Sequence, residues 1–332
     1  HKRMILAADV GGTKTYLGLY RASATGIVEV SSARYDSTQY PGISELLLAF
    51  LQTSEQKKPS RIVLGVPGPA RHPPVEPVNL PWIIDPDHIR QQLGIADVFL
   101  LNDLEATAYG TLALGPDDLI ELSAGEADPE GNAAVIAAGT GLGEAGLTWI
   151  GTGHVAVPSE GGHASFAPGT SLEADLWKYL FERHGHVSWE RVVSGMGLVN
   201  IYEFLRDTGH GQEPDWLREQ LLNRDAGARI ISEAATEGGS DLAMAALDLF
   251  VSLYGAEAGN LALKFLATGG VFIGGGIAPK IADKLAEGAF MTAFAEKGRI
   301  SDILHRIPVH IIRNDRTALL GAAYYGAQAG RS

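Results

Sequence analysis

Short apolar segments separated by polar or glycine-rich turns dominate the first third of the chain. Their lengths and composition predict strands over residues 4–10, 16–20, 27–35, 61–66 and 98–101. Helical spacing of apolar residues, a proline start signal or an Ala-rich composition predicts helices over residues 43–52, 88–93 and 104–114. The predicted order of elements is therefore βββαβαβα.

The second part of the chain repeats this order around a long helical stretch. The predicted strands cover residues 133–138, 144–150, 153–157, 271–273 and 309–312. From about residue 172 to residue 267 the chain carries no strand signal, and residues 241–266 are predicted to form one long, mostly apolar helix. Shorter helices are predicted over residues 279–285 and 317–328. We therefore expect an α/β fold in which the βββαβαβα order is duplicated.

The domain boundaries follow from this repeat. A length of 332 residues suits two domains better than one large core. We expect a small α/β domain of residues 1–110 plus 314–332, because the final helix is expected to return to the first domain. Residues 111–313 would form a large α/β domain with a helical insert at about 170–267. No low-complexity linker divides the halves, so we expect them to pack around a shared cleft.

Composition narrows the class of protein. Hydrophobic residues make up 45% of the chain and charged residues 20%, as in ordinary folded domains. A net charge of -13 without any Lys/Arg block argues against nucleic acid or an anionic membrane as a partner. The absence of cysteine excludes disulfides, thiolate zinc sites and cysteine nucleophiles. Asp9 ends the apolar start too early for a signal peptide, and no apolar run approaches the about 18 residues of a membrane span. We expect a cytoplasmic enzyme.

Two glycine-threonine turns are the strongest candidates for ligand binding. Gly11-Gly12-Thr13 and Gly139-Thr140-Gly141 each lie between two apolar strands and are predicted hairpin turns. Glycines leave backbone N–H groups accessible to an anion, so the pair suggests a clamp for nucleotide phosphates. Asp9 precedes the first turn and suits a hydrated Mg²⁺ that arrives with a nucleotide. One such turn alone is equally well explained as a plain hairpin.

A third glycine segment is a further candidate for nucleotide binding, and the second turn also allows a competing interpretation as a dinucleotide site. Gly274-Gly275-Gly276 follows a strand and precedes a helix, and is a candidate for close approach of an adenosine. The chain has no Walker A sequence, which excludes a P-loop. Residues 141–146 match the dinucleotide signature G-x-G-x-x-G, but that signature needs a following helix where this sequence predicts a strand. An NAD site is therefore the weaker interpretation.

Asn102 and Asp103 close one predicted strand and open the next helix. One of them is expected to cap that helix, because Asn and Asp are favoured at the first cap position. A carboxylate at the carboxyl end of a strand in an α/β sheet also faces the ligand crevice, where it can accept a proton from an attacking hydroxyl. Asp103 is therefore the candidate catalytic base.

Glu160, His163 and Glu190 are the remaining polar candidates. Glu160-Gly161-Gly162-His163 is a glycine-containing loop after a predicted hairpin, and its carboxylate and imidazole suit the hydroxyls of a neutral sugar. By spacing alone, Glu190 is a first-turn helix acid favoured by the helix dipole. The other histidines show no metal-ligand spacing, so no metal site built by protein side chains alone is predicted.

Together these segments resemble the bacterial ATP-dependent glucokinases of the actin/hexokinase/Hsp70 superfamily. The matching segments occur in family order at residues 8–13, 101–103, 137–143, 160–163, 188–200 and 272–279. The related ROK sugar kinases carry a cysteine-rich zinc motif, so a chain without cysteine resembles the non-ROK branch. The resemblance implies two actin-like, ribonuclease H-like ATPase domains. It also implies that ATP with Mg²⁺ phosphorylates D-glucose at O6 to glucose 6-phosphate, the first step of glycolysis.

The resemblance also assigns roles to the candidates. It implies that Asp103 is the general base, that Asn102 positions the sugar, and that Glu160, His163 and Glu190 bind sugar hydroxyls. Asn79 is similar to a sugar-side residue of the family, although Val78 stands where the family often has Thr. The implied nucleotide-binding residues are Ala8, Asp9, Val10, Gly11, Gly12, Thr13, Lys14, Gly139, Thr140, Gly141, Gly274, Gly275 and Gly276.

Two alternatives stay open beside this expectation. One is a kinase of another hexose or an amino sugar on the same fold, and the other is an actin-like nucleotide switch without a sugar substrate. The 160–163 loop argues against the switch, because a switch needs no cluster that reads hydroxyls. The expected partners are glucose and ATP, with neither nucleic acid nor a membrane, and the family likeness implies a homodimer.

Overall fold

The computed structural model describes residues 3–23, 26–54 and 58–328. Two compact units divide the chain. The first comprises His1–Leu119, Thr152–Pro158 and Asn314–Ser332, and the second comprises Ile120–Gly151 and Ser159–Arg313. The ends of the predicted small domain, residues 1–2 and 329–332, lie outside the described residues. The described part of the chain is an α/β protein with two mixed sheets and twelve α-helices.

The elements are numbered in chain order. The strands are β1 (Met4–Val10), β2 (Lys14–Ser23), β3 (Gly26–Asp36), β4 (Arg61–Val66), β5 (Asp97–Asn102), β6 (Leu119–Ser123), β7 (Ala133–Ala138), β8 (Leu142–Trp149), β9 (His154–Ser159), β10 (Gly270–Gly274) and β11 (Val309–Ile312). The helices are α1 (Ile43–Thr53), α2 (Pro86–Leu93), α3 (Asp103–Thr111), α4 (Ser171–His184), α5 (Gly195–Asp207), α6 (Asp215–Gln220), α7 (Gly227–Thr236), α8 (Asp241–Phe265), α9 (Ala282–Ala286), α10 (Ala289–Ala295), α11 (Ser301–Arg306) and α12 (Thr317–Gln328).

The first sheet has the strand order β3-β2-β1-β4-β5. Strand β1 is antiparallel to β2 and parallel to β4, which is parallel to β5. In this register Asp9 lies opposite Gly65, and Val66 lies opposite Asn102. The carboxyl ends of β1, β4 and β5 therefore meet at one edge of the sheet, where ligands bind in open α/β sheets.

The second sheet has the order β6-β11-β10-β7-β8-β9. Strand β7 is antiparallel to β8 and parallel to β10, which is parallel to β11. Read from β9, the order β9-β8-β7-β10-β11 repeats that of the first sheet, and β6 is an addition at the far edge. The sequence pattern did not predict β6, because Leu119–Ser123 is short and none of its residues is fully buried.

Helix α8 confirms the predicted long apolar helix and ends at Phe265. Ser240 caps its start through a hydrogen bond from the N–H of Ala243. By length and hydropathy α8 is the one helix among the described residues that could cross a membrane, but 67% of its apolar window is buried within the protein. Phe250, Tyr254 and Ala258 are fully buried, so α8 is the central core helix of the second unit.

Candidate active site

The first glycine turn is the hairpin connection between β1 and β2, as predicted. Val10 pairs with Thr15 across the hairpin, so Gly11-Gly12-Thr13 forms the connection. Ser37 fixes this connection from the end of β3: its hydroxyl donates to the carbonyl of Gly11 at 2.8 Å and its N–H donates to the carbonyl of Thr13 at 2.9 Å. The backbone of the turn is therefore ordered before any ligand arrives.

Asp9 lies at the end of β1 in an acidic environment. It is only partly accessible to solvent, and burial, followed by the negative charges of Asp103 and Asp315, raises the pKa of its carboxyl to about 7. At neutral pH Asp9 is therefore divided between its charged and neutral forms. A bound cation would stabilise the charged form.

Asp315 is a member of this acidic group that the sequence did not predict. It lies in the turn before α12, where the side chain of Asn314 accepts a hydrogen bond from the N–H of Arg316 at 2.8 Å. The hydroxyl of Thr317 donates to the carbonyl of Asn314 at 2.7 Å. Asp315 is more than 200 residues from Asp103 along the chain, and no local pattern connects them.

Asn102 is the predicted cap of α3. Its side-chain oxygen accepts from the N–H of Leu104 at 2.9 Å, its amide donates to the carbonyl of Gly68 at 3.0 Å, and Glu105 completes a capping box. Asp103 is the first residue of α3, is half-buried, and also accepts from the N–H of Leu104 at 2.9 Å. The start of α3 thus orders Asp103 at the carboxyl edge of the first sheet.

Asn79 lies beside the first glycine turn. A Cβ atom placed on Gly12 would be 2.9 Å from the Cβ of Asn79. The segment is anchored by Trp82, which is 2% exposed and donates its indole N–H to the carbonyl of Tyr40 at 3.0 Å. Within the first unit the structure therefore brings together Asp9, the first turn, Asn79, Asn102 and Asp103.

The second glycine turn connects β7 to β8 in the second unit. The N–H of Gly139 donates to the carbonyl of Gly141 at 2.9 Å, and the N–H of Gly195 donates to the carbonyl of Gly139 at 2.8 Å. The strand β8 then follows Gly141 directly. The helix that a dinucleotide site needs after its glycines is therefore missing, which removes the NAD interpretation.

Glu190 is held at this second turn rather than on a helix face. It lies in a short 3-10 segment, Trp189–Arg191, and its carboxylate accepts from the N–H of Leu142 at 2.9 Å. A Cβ atom on Gly141 would lie 2.6 Å from Oε2 of Glu190. The spacing of Glu190 alone gave no indication of this contact.

The structure brings Glu160, His163 and Glu190 together. Nε2 of His163 lies 3.9 Å from Oε2 of Glu160, and Nδ1 of His163 lies 4.0 Å from Oε1 of Glu190. The backbone carbonyl of His163 is 2.9 Å from Nε2 of His186. The side chains of Glu160 and His163 are 78% and 63% exposed, so these hydrogen-bonding groups can reach a ligand.

A cavity of about 830 Å³ lies beside the second turn and the third glycine segment. Gly139, Thr140 and Gly276 line it. Gly275 has a φ of +82°, and a Cβ atom there would overlap the carbonyl oxygen of Ala138, so this position requires glycine. The sequence did not predict the remaining residues of the cavity wall, and those on α5 and α7 follow ordinary amphipathic patterns. The remaining wall residues include Met196, Leu198, Arg224, Ala228, Ser232, Ile277 and Lys280.

The acidic residues of the first unit fit a nucleotide-borne Mg²⁺. Among residues 3–23, 26–54 and 58–328 there is no group of three or more Asp, Glu or His side chains arranged to hold a metal. Mg²⁺ needs no such cage, because it is usually bound through one or two carboxylates, water and substrate phosphates. The carboxylate of Asp9, beside the N–H groups of the first turn, meets that requirement.

Comparison with known proteins identifies the family. The family model described as Glucokinase matches residues 6–329. A curated glucokinase of Nostoc punctiforme is 40% identical over 98% of this chain and 99% of its own length. The crystal structure of a glucokinase from an Antarctic psychrotroph is 32% identical, with a TM-score of 0.89 over 99% of this chain and 100% of that one. A ROK family glucokinase from Streptomyces griseus, in complex with glucose and AMPPNP, shares the fold at 21% identity and a TM-score of 0.61, over 98% of this chain and all of that one. The chain therefore belongs to the Glucokinase family.

Proposed function

We propose that the protein transfers the γ-phosphoryl group of ATP to the O6 hydroxyl of D-glucose. Membership of the Glucokinase family over residues 6–329 supports this reaction. The observation that carries the mechanism is the group of acidic side chains at the carboxyl edge of the first sheet, where burial, and then the charges of Asp103 and Asp315, raise the pKa of Asp9. This arrangement places a proton acceptor, Asp103, close to a carboxylate that can bind a cation, Asp9, as phosphoryl transfer requires.

Asp103 acts as the general base in this proposal. Its carboxylate accepts the O6 proton while O6 forms a bond to Pγ and the bond between Pγ and the bridging oxygen of ADP breaks. The helix start orders this carboxylate through the N–H of Leu104. Asn102 and Asn79 orient the sugar from the same unit, and the amide of Asn102 is itself oriented by the carbonyl of Gly68.

The 160–163 loop and Glu190 bind the sugar hydroxyls. A carboxylate accepts hydrogen bonds from hydroxyls, and a neutral imidazole can donate and accept, so the three side chains can read a hydroxyl pattern. Their mutual distances of 3.9 and 4.0 Å leave each within reach of a neighbouring hydroxyl on one small ring. The contact of Glu190 with the N–H of Leu142 couples this group to the second phosphate turn.

The two glycine turns bind the phosphates through backbone N–H groups. In the first turn the residues are Ala8, Asp9, Val10, Gly11, Gly12, Thr13 and Lys14, with Asp9 as the residue that would hold Mg²⁺. When bound, Mg²⁺ neutralises charge that develops on the phosphates. In the second unit Gly139, Thr140 and Gly141 bind phosphate, and the about 830 Å³ cavity beside Gly274, Gly275 and Gly276 accommodates the adenosine.

Several finer assignments belong to the same proposal. The repeated strand order of the two sheets supports an actin-like, ribonuclease H-like duplication. We propose a small domain of residues 1–110 plus 314–332 and a large domain of residues 111–313 with its helical insert.

A homodimer and a cytoplasmic location are proposed from the family likeness, and light scattering on the purified protein tests the dimer directly.

The test is sugar-dependent ADP production by the purified protein with Mg²⁺ and ATP. We expect glucose to give the highest kcat/KM among glucose, fructose, mannose and N-acetylhexosamines. A higher value for another sugar would reassign the substrate while keeping the kinase. Slow ATP hydrolysis that no sugar accelerates would instead favour a nucleotide switch and overturn the proposal.

A further inference from the structure

A pair of buried acidic side chains lies beneath the 160–163 loop and is used by no step described above. Glu144 on β8 is 1% exposed, and Glu257 on α8 is fully buried. Within the described residues, both carboxyl oxygens of Glu144 and Oε1 of Glu257 lack a hydrogen-bond partner. Buried carboxyl groups are costly unless their oxygens are paired or their charge is removed. The pair therefore needs a donor that neighbouring N–H and O–H groups do not provide.

Glu144 is in direct contact with the loop. A Cβ atom on Gly161 would overlap Oε2 of Glu144, so the loop backbone packs on the carboxyl group itself. The N–H of Gly161 donates to the hydroxyl of Ser159 at 2.9 Å, which also fixes the loop at this residue. Gly161 lies between Glu160 and His163, the proposed sugar ligands. A displacement of the Glu144 carboxyl group would therefore move the loop backbone that carries Glu160 and His163.

The surrounding charges show which group holds a proton. Burial first, and then the neighbouring carboxyl group of Glu257 with its negative charge, raise the pKa of Glu144 to about 9, against the opposing effect of Lys264. Glu257 instead accepts from the amide of Asn260 at 2.9 Å. Burial also raises the pKa of Glu257, but Glu144, the amide of Asn260 and the positive charges of Lys264 and Lys297 all act against that rise.

The lysines also argue against a metal ion as the missing partner. Lys297 donates to the side-chain oxygen of Asn260 at 2.8 Å and to the carbonyl of Ala256 at 2.9 Å. This network already supplies positive charge to Glu257. A second cation between the carboxyl groups would be repelled by Lys264 and Lys297, whereas a single proton needs no additional space.

We propose that Glu144 and Glu257 share one proton and that this neutral-plus-charged pair positions the 160–163 loop for sugar binding. Glu144 donates its O–H to the carboxylate of Glu257, which gives a partner to one oxygen of Glu144 and to Oε1 of Glu257. Loss of that proton would place two negative charges side by side in the core and push the Glu144 carboxyl against Gly161. Glu144 is a positioning residue, and this inference rests on the proposed sugar-binding role of the loop.

The first test detects the proton without reference to activity. At pH 8 the infrared spectrum of the wild-type protein should contain the carbonyl stretch of a protonated carboxylic acid that is missing from Glu144→Gln. Asp9, with a pKa of about 7, is mostly ionised at that pH and does not interfere. Glu213→Gln is the matched control, because Glu213 has a side chain only 6% exposed but is paired with Arg206 and Arg218. Identical spectra for wild type and Glu144→Gln would overturn the shared proton.

The second test measures the positioning role. In the wild type the glucose KM should rise by about tenfold per pH unit once the pair ionises above about pH 9, while the ATP KM stays constant. Glu144→Gln, which keeps a donor to Glu257, should keep the glucose KM at pH 7 within about twofold, since it preserves that hydrogen bond. The glucose KM of Glu144→Gln should not rise above about pH 9. An unchanged rise in this variant would overturn the positioning role, and absence of glucose phosphorylation by the wild type would instead refute the proposed function.

A second variant protects the test against a folding defect. Glu257→Gln removes the negative neighbour of Glu144 and offers it an amide donor, so Glu144 should ionise at lower pH than in the wild type. The carboxylic acid band should then disappear at a lower pH. A band that titrates at the same pH in both proteins would contradict the pairing of Glu144 with Glu257.

Discussion

The two glycine turns connect equivalent strands of two sheets with the same strand order, yet their surroundings differ. At the first turn acidic side chains meet: the charges of Asp103 and Asp315 both act on the buried carboxyl group of Asp9. The second turn adjoins Glu190, whose carboxylate accepts from a backbone N–H, and a cavity of about 830 Å³. The wall of this cavity combines apolar residues such as Met196 and Ile277 with charged ones such as Arg224 and Lys280.

The comparison teaches that the backbone supplies the same chemistry twice and the side chains divide the work. In the proposed function, a hairpin turn with glycines presents N–H groups to phosphate in both units. Charge at the first turn suits proton transfer and a metal ion, whereas volume at the second turn suits a nucleoside. Four expected outcomes test this division.

The largest expected effect is at Asp103. Replacing Asp103 by Ala removes the proton acceptor and should lower kcat by a factor of about 10² to 10⁴, while ATP binding is retained. Glucose-dependent ADP production and a nucleotide-binding titration measure the two quantities. Asp87→Ala is the control, because Asp87 is an exposed first-turn acid of α2 in the same unit. Near-normal turnover of Asp103→Ala would remove Asp103 from the catalytic role.

The acidic environment should also make stability depend on pH. The pKa of Asp9 is raised from 3.8 to about 7 in the folded protein, so the folded state binds the proton more tightly than the unfolded state. Its contribution is therefore complete below about pH 4 and is lost as pH rises to about 7, by up to about 4 kcal/mol at about 1.4 kcal/mol per pKa unit.

Urea unfolding without nucleotide, at several pH values between 4 and 8, measures this loss. Asp9→Asn should be less sensitive to pH over that interval, whereas Asp87→Asn should follow the wild type. Parallel curves for the wild type and Asp9→Asn would show that Asp9 titrates at its ordinary pKa.

A smaller effect is expected for Mg²⁺. Asp9→Asn removes the carboxylate that would hold the ion and should weaken the apparent Mg²⁺ affinity of the ATP reaction by roughly 10- to 100-fold, the range typical of altered metal surroundings. Activity at increasing Mg²⁺ and fixed ATP measures it, with Asp87→Asn as the matched control. An unaltered Mg²⁺ dependence would assign the metal contact to other groups.

The smallest expected effect is at the second turn. Ala228→Phe projects a ring into the cavity beside Gly139 and Gly276 and should raise the ATP KM by about tenfold, equivalent to about 1.4 kcal/mol. The glucose KM should change little, because the proposed sugar ligands Glu160, His163 and Glu190 do not line this cavity. Ala245→Phe is the matched control, since it introduces the same ring on α8, a helix of the same unit, outside the cavity wall. Equal ATP KM values for wild type and Ala228→Phe would argue against adenosine in this cavity.

Local sequence patterns predicted much of the fold, because turn formation, helix capping and hydrophobic periodicity depend on residues that are close together in the chain. The hairpins around Gly11–Thr13 and Gly139–Gly141 follow from apolar runs flanking residues without side-chain bulk, and the cap at Asn102 follows from the preference of Asn for that position. The long apolar run of residues 241–266 predicted a single long helix, and α8 confirms it. The edge strand β6 had no comparable signal, because it is short and half-exposed.

The site itself was predicted in part. Asn102 proved to be a helix cap, and the family likeness, rather than its spacing, indicated Glu190. The hydrogen bond from Leu142 to Glu190 joins residues 48 positions apart. The contact between Glu144 and Glu257 joins a strand to a helix more than 100 residues later.

The sequence by itself determined the two glycine turns, the alternation of strands and helices, and the carboxylate after β5, because propensity, hydrophobic period and capping act over a few residues. Only the tertiary structure decided which distant groups share an environment: Asp315 with Asp9, Glu190 with Leu142, and Glu144 with both Glu257 and Gly161. The pKa of a buried carboxyl depends on desolvation and on charges within a few ångströms, and chain separation carries no information about either.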